Sequence, residues 1–439
     1  MKKIRIVLTV FMLALTGMAW VSLAGGIMKE NSAYNRALEK ARALEEQRLY
    51  QKEIAALEEA LGIRESAEVR CLWRDAWQLA WEDGVAAKSE YIDAMESVAK
   101  LQPGNVENWE KLIGFCVETQ DYKTAYANCK DAEEAGASSE KLDVWQRQVR
   151  YSYTVNGRVY SEIQYSPSGY NTVSNGENWG IVNENGEWAV DCTWEFLSPV
   201  TSGLVRLAGD VQELRIMDNK SVVQAILGGG IEAARVIADG ILPVLEDGSW
   251  RYYDSASQTF MQGSYEDASS YAGGIAAVKE NGKWKLADRN GSQVGNAEFE
   301  DISLYSGGEY LYDGIFVAKS GGEYGLYDQK GVLVAGIAST DMDVFTGEWI
   351  AYQEPGGRWG FMDKKGDVMI EPQYENAKSF SGGLAAVCID GMWGFINEAN
   401  ELVIENRFVD AGYFTSGGVC FVSEAAGEYY MITLRFPER

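Results

Sequence analysis

The feature that most constrains this chain is a recurrence. Trp359-Gly360-Phe361 is followed by a polar turn and an apolar run, and Trp393-Gly394-Phe395 repeats the arrangement 34 residues later. Aligned on that position, anchors fall at Trp179, Leu214, Trp250, Trp284, Tyr324, Trp359, Trp393 and Tyr429. Their steps are 35, 36, 34, 40, 35, 34 and 36 residues. A glycine-led apolar run precedes most anchors by about ten residues, as at Gly240, Gly274, Gly314, Gly383 and Gly418. Each unit therefore reads as apolar strand, tight turn, aromatic strand, second turn, third strand such as "DVMIEP", and a connector such as "YENAKSFSGG". Asp247-Gly248, Asn281-Gly282 and Asp390-Gly391 supply the positive φ that two-residue hairpins require. A small sheet with two apolar faces cannot stand alone, so copies must stack.

Because Tyr and even Leu stand at the anchor, the aromatic-glycine pair reads as a packing element rather than a ligand site. Residues 359–396 carry Trp359, Gly360, Asp363, Gly366, Ile370, Pro372, Tyr374, Phe380, Gly383, Leu384, Ala385 and Val387. That set resembles the WG repeat family of bacterial proteins, and the resemblance extends over about 260 residues. It implies a closed, β-propeller-like array of seven or eight units over residues 150–439. Many short strands with regular turns suggest radial repetition or a solenoid on physical grounds as well. Units of about 35 residues are short for four strands, so some three-stranded blades are expected. Departures mark the units expected to be distorted: Leu214 lacks the aromatic ring, and Lys285 replaces the glycine after Trp284. The longest step carries an insertion around "LYSGGEYLYDG", a candidate functional rim. The last unit ends before its third strand. A hairpin over 151–165, turning at Asn156-Gly157, is expected to fill that gap and close the ring.

Residues 31–149 have a different texture, rich in Ala, Leu, Glu and Lys at helical spacing, with a stop at "LQPGN". Trp109, Leu112, Cys116, Ala125, Cys129 and Ala132 fall at offsets that resemble the tetratricopeptide repeat. The match around Tyr50–Leu61 is looser, and two or three units are expected. The resemblance implies a concave surface that holds peptides; a simple spacer is the alternative. Residues 1–30 begin with Lys2, Lys3 and Arg5, then run without charge from Ile6 to Met28. That length favours a signal anchor, with the bulk of the chain extracytoplasmic. Ser22-Leu23-Ala24 would permit cleavage after Ala24, giving a secreted form.

Several chemistries are excluded. The chain has no histidine, so serine-histidine triads and histidine-based zinc sites are impossible. With 39 basic and 65 acidic residues its net charge is −26, which opposes nucleic-acid binding. Six scattered cysteines without a CxxC pair read as free thiols. Acidic turns at 183–186, 288–291 and 341–343 lack calcium-loop spacing and read as solvated turns. No catalytic, cofactor or metal residue is proposed. The expected role is a membrane-anchored, non-enzymatic interaction protein with protein or peptide partners. A cell-wall polysaccharide ligand, or a carboxylate-dependent glycoside hydrolase, is the alternative.

Overall fold

A computed structural model describes residues 28–437 apart from 167, 201, 202 and 211. The expected signal anchor therefore falls almost wholly outside the described residues, among which no helix is long and apolar enough to cross a membrane. The chain divides into two compact units, with the break between Arg150 and Tyr151.

The first unit is a succession of helices: α1 (28–45), α2 (Tyr50–Ile63), α3 (Ala67–Glu82), α4 (Lys88–Leu101), α5 (Val106–Glu118), α6 (Tyr122–Glu134) and α7 (Glu140–Arg150). Their starts are set locally. Ser66, Asn105 and Asp121 each accept a hydrogen bond from a backbone N–H of the following first turn, satisfying donors a helix leaves free. Trp109, Leu112 and Cys116 on α5 and Ala125, Cys129 and Ala132 on α6 are all buried, and the two helices pack together. The small residues of α6 let its axis come close to the large side chains of α5. One core position breaks the pattern: Glu53 on α2 is buried, and its Oε2 has no hydrogen-bond partner among the described residues. Burial pushes its carboxyl up to about 7.

The second unit is an eight-bladed propeller. Seven sheets have four strands and one has three. In chain order the blades span 162–194, 196–228, 231–260, 267–288, 301–336, 341–374, 376–408 and 410–434. All eight anchors lie on the strand third from the axis. A unit of about 35 residues does accommodate four strands, because the innermost is often two residues long, as at Asn376–Ala377 and Asp410–Ala411. These short strands lie inside what the sequence presents as connectors. Only blade 4, where Lys285 stands for glycine, has three strands.

The ring closes through the strand Tyr153–Tyr160, which is the outermost strand of blade 8 and pairs antiparallel with Glu428–Leu434. The expected hairpin at Asn156-Gly157 does not form. Residues on both sides pair with the same partner, Val155 with Ile432 and Val159 with Tyr430, so Asn156-Gly157 sits in a bulge. Closure by residues 153–160 stands; the turn does not. Eight buried clusters each join neighbouring blades, including one that joins blade 8 to blade 1 through Tyr160, Val173, Val182, Val419, Phe421 and Met431. Stability therefore comes from sheet-to-sheet burial repeated around the ring.

The glycine of the repeat pair has a specific task. A Cβ on Gly180, Gly360 or Gly394 would lie 2.6–2.7 Å from backbone atoms of the outer strand. In each of these blades the outer strand bulges at that point, as between the pairs Trp393–Phe408 and Phe395–Ile404. The bulge folds over the bare glycine.

Candidate functional site

In each blade a connector joins the innermost strand to the second strand, and these connectors meet around the axis. Blade 5 carries the insertion seen in the sequence. Its Gly307 carbonyl accepts from Val236 N–H of blade 3 at 2.9 Å, and its Gly308 carbonyl accepts from Ser270 N–H of blade 4 at 2.9 Å. Tyr305 donates its hydroxyl to the Phe345 carbonyl of blade 6. Glu309 accepts from Ser166 Oγ of blade 1 at 2.8 Å. A loop that touches blades 1, 3, 4 and 6 must lie across the axis. The insertion is thus a plug rather than the rim expected from the sequence.

The plug is held tightly. A Cβ on Gly308 would lie 2.1 Å from Arg235 Cδ. Arg235 is fixed by Asp267 at 2.8 Å, by the Ala268 carbonyl, and by the ring of Trp250, whose centroid is 4.2 Å from the guanidinium carbon. Behind Ser166, Glu309 Oε2 has no hydrogen-bond partner among the described residues, and burial pushes this carboxyl up to about 7.

Beside the plug lies a cavity of ≈ 590 Å³, walled by connectors of blades 1, 5, 6, 7 and 8. Its aromatic wall comprises Tyr165, Tyr305, Tyr312, Tyr413 and Phe414. Glu184, Glu348 and Glu398 supply carboxylates, and among the described residues no lysine or arginine lines it. Glu184 and Glu398 come from turns after the anchor strands of blades 1 and 7, whereas Glu348 belongs to the connector of blade 6. Glu348 accepts from Gly383 N–H at 3.2 Å; burial, and then the charge of Glu398, push its carboxyl upward.

The hydroxyls around the cavity are mostly committed. Ser166 donates to Glu309, Ser168 to the Val200 carbonyl or to Ser166, and Thr346 to the Phe380 carbonyl. Ser381 donates to the Phe414 carbonyl, while Thr415 and Ser416 donate to the Glu184 carbonyl and carboxylate. Tyr165 donates to the Phe421 carbonyl, and Tyr413 to Asp343 at 2.7 Å. These groups keep lone pairs but have spent their single proton. The lining consequently offers far more acceptors than donors.

Asp343, in the "DMD" stretch, is not a solvated turn residue. It accepts from Tyr413 and from Ser379 N–H at 2.6 Å, and burial still pushes its carboxyl up. Lys378 provides the balancing charge. Its Nζ bonds the Ala411 carbonyl, lies 3.5 Å from Asp410, and approaches the rings of Tyr165 and Tyr413 at 5.9 and 5.7 Å. The acidic turn at 288–291 behaves as the sequence suggests, whereas the one at 183–186 also carries Glu184, which lines the cavity and accepts from Ser416. Asp288 accepts from Asn290 and Ser292 N–H, and Asn183 from Asn185 and Glu187 N–H, so each caps its own loop. Among the described residues no group of three potential ligands could hold a metal ion. All six cysteines are free, and four are buried.

The model of the WG containing repeat matches at residues 179–207, 250–284, 359–393 and 393–425. The chain thus carries repeats of the WG family at four places. No curated protein matches its sequence. Among solved structures, the chain is similar to Kluyveromyces lactis Hsv2p at 10% identity and a TM-score of 0.38, over 56% of this chain and 96% of that one.

Proposed function

We propose that this chain is a non-enzymatic interaction protein, anchored by its N-terminal segment with both units outside the cytoplasmic membrane of a bacterium. Protein or peptide partners are held by the helical stack, read as tetratricopeptide-like, and by the propeller. One observation carries the reading. The recurring element of the repeat, the aromatic-glycine pair, is spent on packing, while the connectors, which differ between copies, build a cavity with an acidic and aromatic lining. Repeat arrays place ligands on such variable surfaces. The test is to place a photo-crosslinking residue at Ser381 or Thr415 on the cavity lining, and another at Glu177 outside it. Partners from envelope extract should crosslink at the first two positions. Equal crosslinking at all three would refute the assignment. Export is checked separately by protease accessibility in intact cells, where an inaccessible propeller would contradict it.

A second reading has its own support. Glu348 and Glu398 share the cavity, and the raised carboxyl of Glu348 suits a general acid of a glycoside hydrolase. Release of reducing sugar from cell-wall glycan, abolished by Glu348→Gln, would establish it. Absence of turnover with retained binding would favour the interaction protein.

A further inference from the structure

The interaction reading leaves the ligand's chemistry open, and the cavity narrows it. Resting on that reading, we propose that the axial cavity is a receptor for an organic cation. The ligand is a protonated amine or a guanidinium on a short apolar stem, held by Glu348 and Glu398 against the tyrosine wall.

Three observations converge. First, the hydrogen-bonding character of the lining is one-sided. Serines, threonines and most of the tyrosines have donated their protons to the scaffold, so a ligand must bring donors. An ammonium brings three and a guanidinium five, with no acceptor left to satisfy. A neutral sugar brings paired donors and acceptors, and its acceptors would find few partners here. Second, among the described residues the carboxylates facing the cavity lack a resident counter-charge. Lys378 is committed behind the wall to Ala411 and Asp410, and Glu348 has backbone N–H partners and another carboxylate near it. Third, the aromatic wall is fixed. Tyr165 and Tyr413 meet edge to face at 5.7 Å, and hydrogen bonds through their hydroxyls pin both rings. Ring faces attract cations through their quadrupole, and Lys378 already sits near the same two rings. A fixed wall also lowers the ordering cost of binding. The plug matters as well, because Ser166 and Tyr305 are held by blade-to-blade contacts that keep the cavity open beside it.

The charge of −26 would attract any polycation loosely, so the test must separate the cavity from the surface. The full chain is titrated calorimetrically with spermidine, with a hexalysine peptide, with the same peptide fully acetylated, and with chitohexaose. Spermidine reports a free polyamine, and hexalysine a side chain on a macromolecule. Binding of either, with loss on acetylation, is the expected result. Glu348→Gln should weaken it about tenfold or more, since a charge-assisted hydrogen bond is lost. Glu398→Gln, in an exposed turn and so unable to unfold the blade, should weaken it several-fold. Glu177→Gln, outside the cavity, should change it less than twofold. The proposal is overturned if acetylated peptide binds equally, if all three variants behave alike, or if chitohexaose alone binds. It also fails, with the interaction reading intact, if Glu348→Gln and Glu398→Gln crosslink the same envelope partner as efficiently as the native chain.

Discussion

Replacing Gly394 with alanine tests the claim that the repeat glycine exists to admit the bulge of the outer strand. The new Cβ would stand 2.7 Å from Asn406 N and Ile404 O, whereas ordinary contact begins near 3.4 Å. The outer strand must then retreat by about 0.7 Å, and overpacking of that kind costs about 1–3 kcal/mol. The retreat also loosens Ile404 and Phe408, which are 4% and 0% exposed, and full burial of each is worth about 1.5–3 kcal/mol. Losing a fraction of that brings the expected cost to about 2–4 kcal/mol. Gly391→Ala is the control. It sits at φ +74° with nothing within 4 Å of a Cβ, so only backbone strain of about 1 kcal/mol applies. Stability is measured by urea denaturation followed through tryptophan fluorescence, and hydrogen exchange is read over residues 402–408. Faster exchange there in Gly394→Ala, and not in Gly391→Ala, is expected. If Gly394→Ala costs no more than the control, or leaves 402–408 as protected as before, the bulge argument is wrong.

Three other perturbations follow from the structure. Glu53→Gln should stabilise the helical unit at pH 8 and lose that advantage by about pH 4.5. The folded carboxyl is raised to about 7 from its ordinary value of 4.5, so the native residue costs nothing below about pH 4.5 and costs stability progressively as pH rises from there through 7. Thermal melts of both proteins across that range check the sign, and an advantage that grows toward acid pH would contradict it. Tyr160→Ala removes a 3% exposed ring that meets Phe421 and Trp188 where the propeller closes, so a loss of about 3–5 kcal/mol is expected in denaturant titration. A loss under 1 kcal/mol would mean the closing strand contributes little. Gly308→Ala drives a Cβ into Arg235, which its partners hold in place, and should cost more than about 2 kcal/mol on the same scale. Gly314→Ala, with nothing within 4 Å of the new Cβ, gives the backbone-only reference, and equal losses would discount the plug.

What the sequence disclosed, and what it hid, follows from how the unit is built. The anchors are legible because one face of the third strand is buried in every blade, and burial enforces residue type at a fixed period. The innermost strands are hidden because two residues such as Asn376–Ala377 carry no alternation. At Asn156-Gly157 the local dipeptide signals a turn, yet the chain's closing strand gains more by pairing along Glu428–Leu434, and the glycine is absorbed as a bulge. The insertion near Gly307 was visible as an irregular step, but spacing alone cannot say whether an insertion points outward or inward.

The carboxylates of the axis were illegible for a different reason, and that reason shows where function resides. Glu184 and Glu398, each second in the turn after an anchor strand, line the cavity, but the acid that opens such a turn, such as Asp288 or Asp363, bonds to N–H groups of its own loop. An acid in the connector after an innermost strand, such as Asp343, faces the axis instead. The residue that follows a two-residue innermost strand is Ser198, Ser269, Ser303, Asp343, Lys378 or Gly412 in blades 2, 4, 5, 6, 7 and 8, and Arg235 holds the equivalent place after the longer innermost strand of blade 3. Four of these copies place a small residue there, while the adjacent blades 6 and 7 place opposite charges. That pair is linked electrostatically behind Tyr165 and Tyr413, where Lys378 also lowers the Asp343 carboxyl against its burial. Composition, with 65 acids, cannot single out Asp343. Its place in the repeat does: deviation from serine or glycine at a position that geometry aims at the axis. The packing positions must stay alike for the ring to close, so the chemistry of this propeller is confined to the positions that its packing leaves free to differ.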